Sequence, residues 1–195
     1  MPLIEITPAT HDVDIALAYA TADNFTGAHV YRADARCFLQ PAAEEKLRVA
    51  IMLAKTQGLR FLIFDAFRPT EAQWKLWTHT PDPNFLADPA KGSPHSRGVA
   101  VDLTLLDASG APLDMGTAFD EFTPRSHHGS LDISAEAQAN RLLLMGIMTT
   151  AGFDFYRNEW WHYQLFNSRD YPLFSDAAAG TGMMDHACTP ANFNF

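Results

Sequence analysis

The run Gly98-Val99-Ala100-Val101-Asp102-Leu103-Thr104-Leu105 does most to limit how this chain can fold. Its large apolar residues, Val99, Val101, Leu103 and Leu105, fall on alternate positions, the period of a strand with one face in a core. The other face carries Ala100, Asp102 and Thr104, small neighbours that leave the Asp102 carboxylate accessible. An unpaired carboxylate in an apolar strand costs several kcal/mol once buried, and a cation, an arginine or backbone amides would offset that. Just upstream, Pro94 and Gly98 hold His95 in a turn rather than a helix, so His95 can come round to the side of Asp102.

The rest of the chain supplies partners for such a strand. Pro41 to Gln57 reads as a helix: proline suits its first turn, Glu44 and Glu45 sit at the positive end of its dipole, and Gly58 follows its last turn. Leu47, Ala50, Ile51 and Ala54 form its buried stripe. Leu59 to Phe64 reads as a buried strand, stopped by Pro69. Thr70 looks like the N-cap of a helix through Trp77. Residues 79–92, rich in Pro, Asp and Gly, read as a surface loop. Asp107 to Gly110 is a hairpin-type turn, and residues 114–133 look irregular. Ser134 caps a helix from Ala135 to about Thr150, with Gly152 at its end. Phe153 to Tyr156 and Trp161 to Phe166 read as closing strands, and the tail after Asn167 gives little signal. Residues 1–40 read as loops and short extended pieces. Helices and strands do not alternate steadily, so the expected class is α+β: a mostly antiparallel central sheet packed by helices, in a single domain over 1–195.

At 195 residues and 47% apolar content the chain can build a large core, burying roughly 70% of its unfolded surface. The formal charge of −9 comes with no basic run, which excludes nucleic acid as a partner. Cys37 and Cys188 share no short motif and read as free buried thiols. The N-terminal residues lack a basic segment followed by a long apolar run, and no window approaches the ~20 apolar residues of a membrane span, so a cytoplasmic protein without a membrane partner is expected.

Far downstream, Glu159-Trp160-Trp161-His162-Tyr163-Gln164 answers the first stretch. His95, Asp102 and His162 make a set of two imidazoles and one carboxylate, which suits a catalytic zinc with an open position for water. Such sets also hold iron in oxygenases, but usually with the first His and the acid two residues apart. Glu159 is a spare carboxylate for general base work. Positions three apart on a strand face opposite sides, so Glu159 must sit in a bend, which Asn158 permits. Trp160 and Trp161 read as core aromatics, and His127-His128 as a solvent-facing pair. No His-Glu-x-x-His, Gly-x-Ser-x-Gly, P-loop or dinucleotide fingerprint is present.

Together these residues resemble the zinc D-alanyl-D-alanine dipeptidases of the vancomycin-resistance type. Further matches, in family order from about residue 15 to about 166, are Tyr19 to Gly27, Asp65-Ala66-Phe67-Arg68-Pro69, Met115-Gly116-Thr117-Ala118-Phe119-Asp120 and Arg125-Ser126-His127-His128. The resemblance implies one Zn(2+) per chain on His95, Asp102 and His162, with Glu159 as general base and later acid, and Arg68 stabilising the oxyanion. Tyr19 and Asp120 would hold the ammonium of a small dipeptide substrate, and Ser93 its carboxylate end. It also implies a fold shared with murein D,D-carboxypeptidases. The alternatives are such a carboxypeptidase, or a zinc-binding module without catalysis. Residues 79–92 look shorter than in the resistance enzymes, and Pro94 stands between Ser93 and His95; both touch the rim of the site.

Overall fold

A computed structural model describes residues 2–185. The first forty residues are more ordered than their sequence suggests. β1 (Ile4–Ile6) leads into a one-turn helix, α1 (Pro8–His11), whose N-cap Thr7 accepts from the Thr10 amide. β2 (Asp14–Ile15) follows, then a 3₁₀ turn Ala18–Ala20, then β3 (Cys37–Leu39). β1 and β3 pair antiparallel, with Ile4 opposite Leu39, as a separate two-stranded sheet. Cys37 is a free, buried thiol whose pKa burial pushes up; Cys188 lies outside the described residues.

α2 (Pro41–Thr56) keeps the expected bounds, with Pro41 in its first turn and Gly58 just beyond its end at φ +71°. β4 (Arg60–Asp65) follows, and after Pro69 comes α3 (Thr70–His79). Here the structure corrects the expected cap. Pro69 is the N-cap and Thr70 the first helical residue: the Thr70 amide donates to the Phe174 carbonyl, and its hydroxyl donates to Glu71. β5 (Ala100–Leu106) is the strand read from Gly98 onward. α4 (Ala135–Thr150) is capped by the Ser134 hydroxyl, which accepts from the Ala137 amide at 3.0 Å. β6 (Asp154–Phe155) and β7 (His162–Gln164) close the sheet, and α5 (Asp176–Ala179) lies in the tail.

The main sheet has the order β2-β4-β5-β7-β6. Only β2 and β4 run parallel; the other three pairs are antiparallel, which is the expected α+β architecture. α2 and α4 pack on each other and against β4 and β6. Leu47, Ala50 and Leu144 from these helices share one buried cluster with Ile63, Val101 and Leu103 from the sheet.

The register sets up the chemistry. Asp102 sits opposite Asp65 of β4 on one side and His162 of β7 on the other. Directly opposed residues project to the same face, so three strands bring their polar side chains to one spot. The β4–β5 pairing shifts between Ile63 and Asp65, a bulge that re-aims Asp65. The expected accessible face of β5 is corrected: all seven of its residues are buried, Asp102 among them at 2% exposure. Pro83, Phe85, Leu86, Ala87, Asp120 and Trp161 line the cavity into which Asp102 opens.

Candidate active site

His95 comes from a 3₁₀ turn, His95–Arg97, between Pro94 and Gly98. Gly98 ends the turn at φ +69°, where a Cβ would press on Leu3 and Gln40, so glycine is required there on both counts. His95 Nδ1 donates to the Ala66 carbonyl at 2.7 Å. A carbonyl only accepts, so the proton lies on Nδ1 and neutral His95 presents a bare Nε2. His162 Nε2 donates to Gln164 Oε1 at 3.0 Å, which leaves Nδ1 bare. Those two bare nitrogens lie 3.1 Å apart. Asp102 Oδ1 is 3.1 Å from His162 Nδ1, and Oδ2 is 3.3 Å from His95 Nε2.

Two bare nitrogens and a carboxylate thus face one another out of water. Burial works to raise the Asp102 pKa, but protonated imidazoles at this spot outweigh it and hold the carboxyl below the usual carboxylate range; with both rings neutral that positive charge falls to a cation. Among the described residues this is the one group of three donors that could hold a metal ion. Donors around a tetrahedral ion with bonds of about 2.0–2.2 Å lie about 3.3–3.6 Å apart; the two nitrogens lie 3.1 Å apart, and one ligand atom from each of the three residues lies within 4.8 Å of the others. The hydrogen bonds behind each ring fix its tautomer and orientation, as supporting contacts do at metal sites.

Glu159 lies in the turn between β6 and β7, not on a strand; its amide donates to the Tyr156 carbonyl. The required bend is therefore there, and its carboxylate reaches to 3.9 Å from His162 Nδ1. It is buried, and burial together with the charges of Asp102 and Asp120 raises its pKa well above the ordinary value, against the pull of Arg68. Trp160 and Trp161 beside it are core aromatics, as read.

Arg68, also buried, donates from Nε to Asp65 Oδ2 at 2.8 Å, from Nη1 to Gln73 Oε1 at 3.0 Å and from Nη2 to Asp102 Oδ2 at 3.4 Å. Asp65 is itself fixed by the Tyr31 hydroxyl at 2.8 Å. The guanidinium lies over the Tyr19 ring, 5.0 Å from its centroid. The Tyr19 hydroxyl donates to Asp120 Oδ2 at 3.0 Å, and Asp120 sits at φ +59° in the left-handed region. Ser93 is buried, and its hydroxyl oxygen accepts from the His95 amide.

All eight candidate residues, Tyr19, Arg68, Ser93, His95, Asp102, Asp120, Glu159 and His162, line one cavity of ≈ 320 Å³. That lies at the small end of ligand pockets, roughly 300–1,000 Å³. The loop at 79–92 is more than surface: Pro83, Phe85, Leu86 and Ala87 form a wall of the cavity. The Asn84 carbonyl accepts from the Tyr156 hydroxyl and from the Asn158 amide, which clasps this wall to the β6–β7 turn.

The histidine pair is corrected. The His128 amide donates to the Arg157 carbonyl, which draws the residue inward, and its ring packs edge-on to Phe155 at 5.0 Å. His127 packs on Phe85. Sequence reasoning did not single out Asp65, Gln73 or Gln164. Gln164 had a signal, since a residue two beyond His162 on a strand shares its face. Asp65 and Gln73 lie three before and five after Arg68, a spacing that says nothing until the chain turns at Pro69.

With this geometry in view, the comparisons with known proteins agree with one another. A family model of the peptidase M15 group, described as D-ala-D-ala dipeptidase, matches residues 2–177. The D-alanyl-D-alanine dipeptidase of Escherichia coli (strain K12) is 45% identical over 174 residues, covering 89% of this chain and 90% of that protein. The D-alanyl-D-alanine dipeptidase of Enterococcus faecium is 38% identical over 184 residues, covering 83% and 89%. That of Streptomyces coelicolor is 36% identical over 174 residues, covering 75% and 83%. A match of this extent, in a chain whose fold gathers two imidazoles and a carboxylate, makes the chain a member of the D-Ala-D-Ala dipeptidase family of M15 metallopeptidases.

Proposed function

We propose that this chain, working as one domain, is a zinc-dependent dipeptidase that hydrolyses free D-alanyl-D-alanine to two molecules of D-alanine. The observation that carries the reading is one small cavity holding a three-donor metal set, a buried carboxylate that ligates nothing in it, and a guanidinium. The names of the relatives supply the substrate. His95 Nε2, Asp102 and His162 Nδ1 would hold the zinc, which supplies Lewis acidity toward a water molecule and a carbonyl oxygen when bound.

The remaining work falls to the chain's own side chains. Glu159 takes a proton from the attacking water as the new C–O bond forms. The carbonyl oxygen gains negative charge, and the Arg68 guanidinium opposes it, a positioned donor of this kind contributing ~3–4 kcal/mol. Glu159 then returns its proton to the leaving amine as the C–N bond breaks. Its raised pKa suits both halves of that exchange, since a base that must later act as acid works best near the ambient pH. Asp120, held by Tyr19, takes the substrate ammonium, and Ser93 donates to the far carboxylate.

A carboxylate at the ammonium end disfavours chains whose N-terminus is acylated, which separates a dipeptidase from a murein carboxypeptidase. The test is metal analysis of the purified protein together with D-alanine release from free and from N-acetylated D-Ala-D-Ala. One zinc per chain with release from the free dipeptide alone is expected. Comparable release from the acylated substrate would install the carboxypeptidase reading, and metal without turnover of either would leave a binding module.

A further inference from the structure

A guanidinium carries five N–H bonds. In Arg68 the fold engages three: Nε with Asp65, Nη1 with Gln73 and Nη2 with Asp102. One hydrogen on each terminal nitrogen is left for the cavity. Asp65 holds Nε, and Asp102 reaches Nη2 only at 3.4 Å. Gln73 supplies the grip on Nη1, at 3.0 Å, and fixes the third nitrogen.

Gln73 lies on α3, 1% exposed. Its amide has a single consistent orientation, because a guanidinium only donates and a carbonyl only accepts. Oε1 must face Arg68, and Nε2 donates to the Ala87 carbonyl at 2.7 Å. Ala87 belongs to the segment that walls the cavity. One buried side chain therefore runs from the guanidinium to the wall that confines the substrate.

We propose that Gln73 is a positioning residue for the hydrolysis: Oε1 aims the free N–H bonds of Arg68 at the developing oxyanion, and Nε2 fixes the 83–87 wall to the same helix. The proposal rests on the role given to Arg68 under Proposed function. The two atoms have separable effects. Oε1 acts where charge develops, so its loss lowers kcat; Nε2 shapes the bound state, so its loss raises KM.

Two near-isosteric variants of the metal-loaded protein divide these effects. Gln73→Glu keeps an acceptor for Arg68 and loses the donor to Ala87. Gln73→Met loses both. Steady-state kinetics on D-Ala-D-Ala, with metal content measured alongside, should show Gln73→Met losing about 10–100-fold in kcat, the scale of a misplacement near 1 Å. Gln73→Glu should stay within about three-fold of wild type in kcat while its KM rises several-fold. In an Arg68→Ala background, Gln73→Met should cost no more than about two-fold in kcat, because the group it aims is gone. A purely structural glutamine would give the same loss in either background.

Wild-type kcat in Gln73→Met, equal kcat losses in the two variants, or an undiminished loss on Arg68→Ala would each overturn the proposal. If Gln73→Met does not fold, Gln73→Glu decides alone, and a kcat loss beyond about ten-fold overturns it. The two readings fail differently: an active Arg68→Ala removes the role of Arg68 itself, whereas an inactive Arg68→Ala beside an unaffected Gln73→Met removes only the coupling.

Discussion

Glu159 is unusual among the buried carboxylates here. Asp65 has Tyr31 and Arg68, and Asp102 has two imidazoles and Arg68, whereas the nearest ion-pair contact of Glu159 is at 3.9 Å. Burial, with the charges of Asp102 and Asp120, keeps its pKa raised, as a group that exchanges protons requires. Glu159→Gln should retain metal in stoichiometric amount and lose ~10²–10⁴-fold in kcat, the usual contribution of a protein base; near-normal turnover would end its assignment. His128 gives a second prediction, about stability. Its burial, helped by the charge of Arg141, lowers its pKa from 6.5 to about 4. The unfolded chain therefore binds this proton at a pH where the folded one does not, and stability falls as pH drops from about 6.5 to about 4. Allowing for the partly exposed ring, the loss is about 2 kcal/mol. His128→Phe keeps an aromatic ring in place and cannot titrate, so denaturant unfolding at pH 7 and pH 4 should show a smaller acid loss in the variant than in wild type.

At the scale of elements, α4 does more than cover the sheet. Arg141 is buried without a carboxylate in its hydrogen-bond set. It donates to the carbonyls of Met115 at 2.7 Å, Arg125 at 2.8 Å and His127 at 3.1 Å, and to the Thr117 hydroxyl at 3.3 Å. The irregular segment at 114–133, which carries Asp120, is thus organised around one side chain from a helix. The Trp160 indole also donates to Thr117, which extends the network to the neighbour of Glu159. Arg141→Met would leave these acceptors buried and unpaired at about 1–3 kcal/mol each, with part of the loss relieved by relaxation. We expect a net destabilisation of about 3–5 kcal/mol and a melting temperature roughly 10 °C lower. The three long helices and the Asp107 turn were legible in the sequence because their prolines, glycines and, for α4, the Ser134 cap act within a few residues. The first forty residues were legible only as loops and short extended pieces; their pairing was not, because pieces of two or three residues join partners more than twenty residues away. The buried outer face of β5 escaped for the same reason, since what stands over it comes from elsewhere in the chain.

For the whole molecule, residue types marked the candidate site and only pairing could assemble it. Nothing local to Asp102 or His162 shows that they sit opposite each other, yet that register is what makes a donor set. Removal of the metal should be felt throughout the fold. A ligand held by the folded chain alone stabilises it by about 2.7 kcal/mol at a hundred times its Kd. Exhaustive chelation should therefore lower the melting temperature by about 5–10 °C, with recovery on adding zinc. An unchanged melting curve would mean that no cation is bound there. The β5–β7 ladder carries one more consequence. His162 lies sixty residues beyond Asp102, so an unfolded chain offers no chelate, and the full donor set exists only after the two strands have met. Metal uptake should therefore trail folding. In a stopped-flow refolding experiment started from denatured apoprotein, cation capture should lag the tryptophan signal, making the ion a witness to the finished sheet rather than its seed.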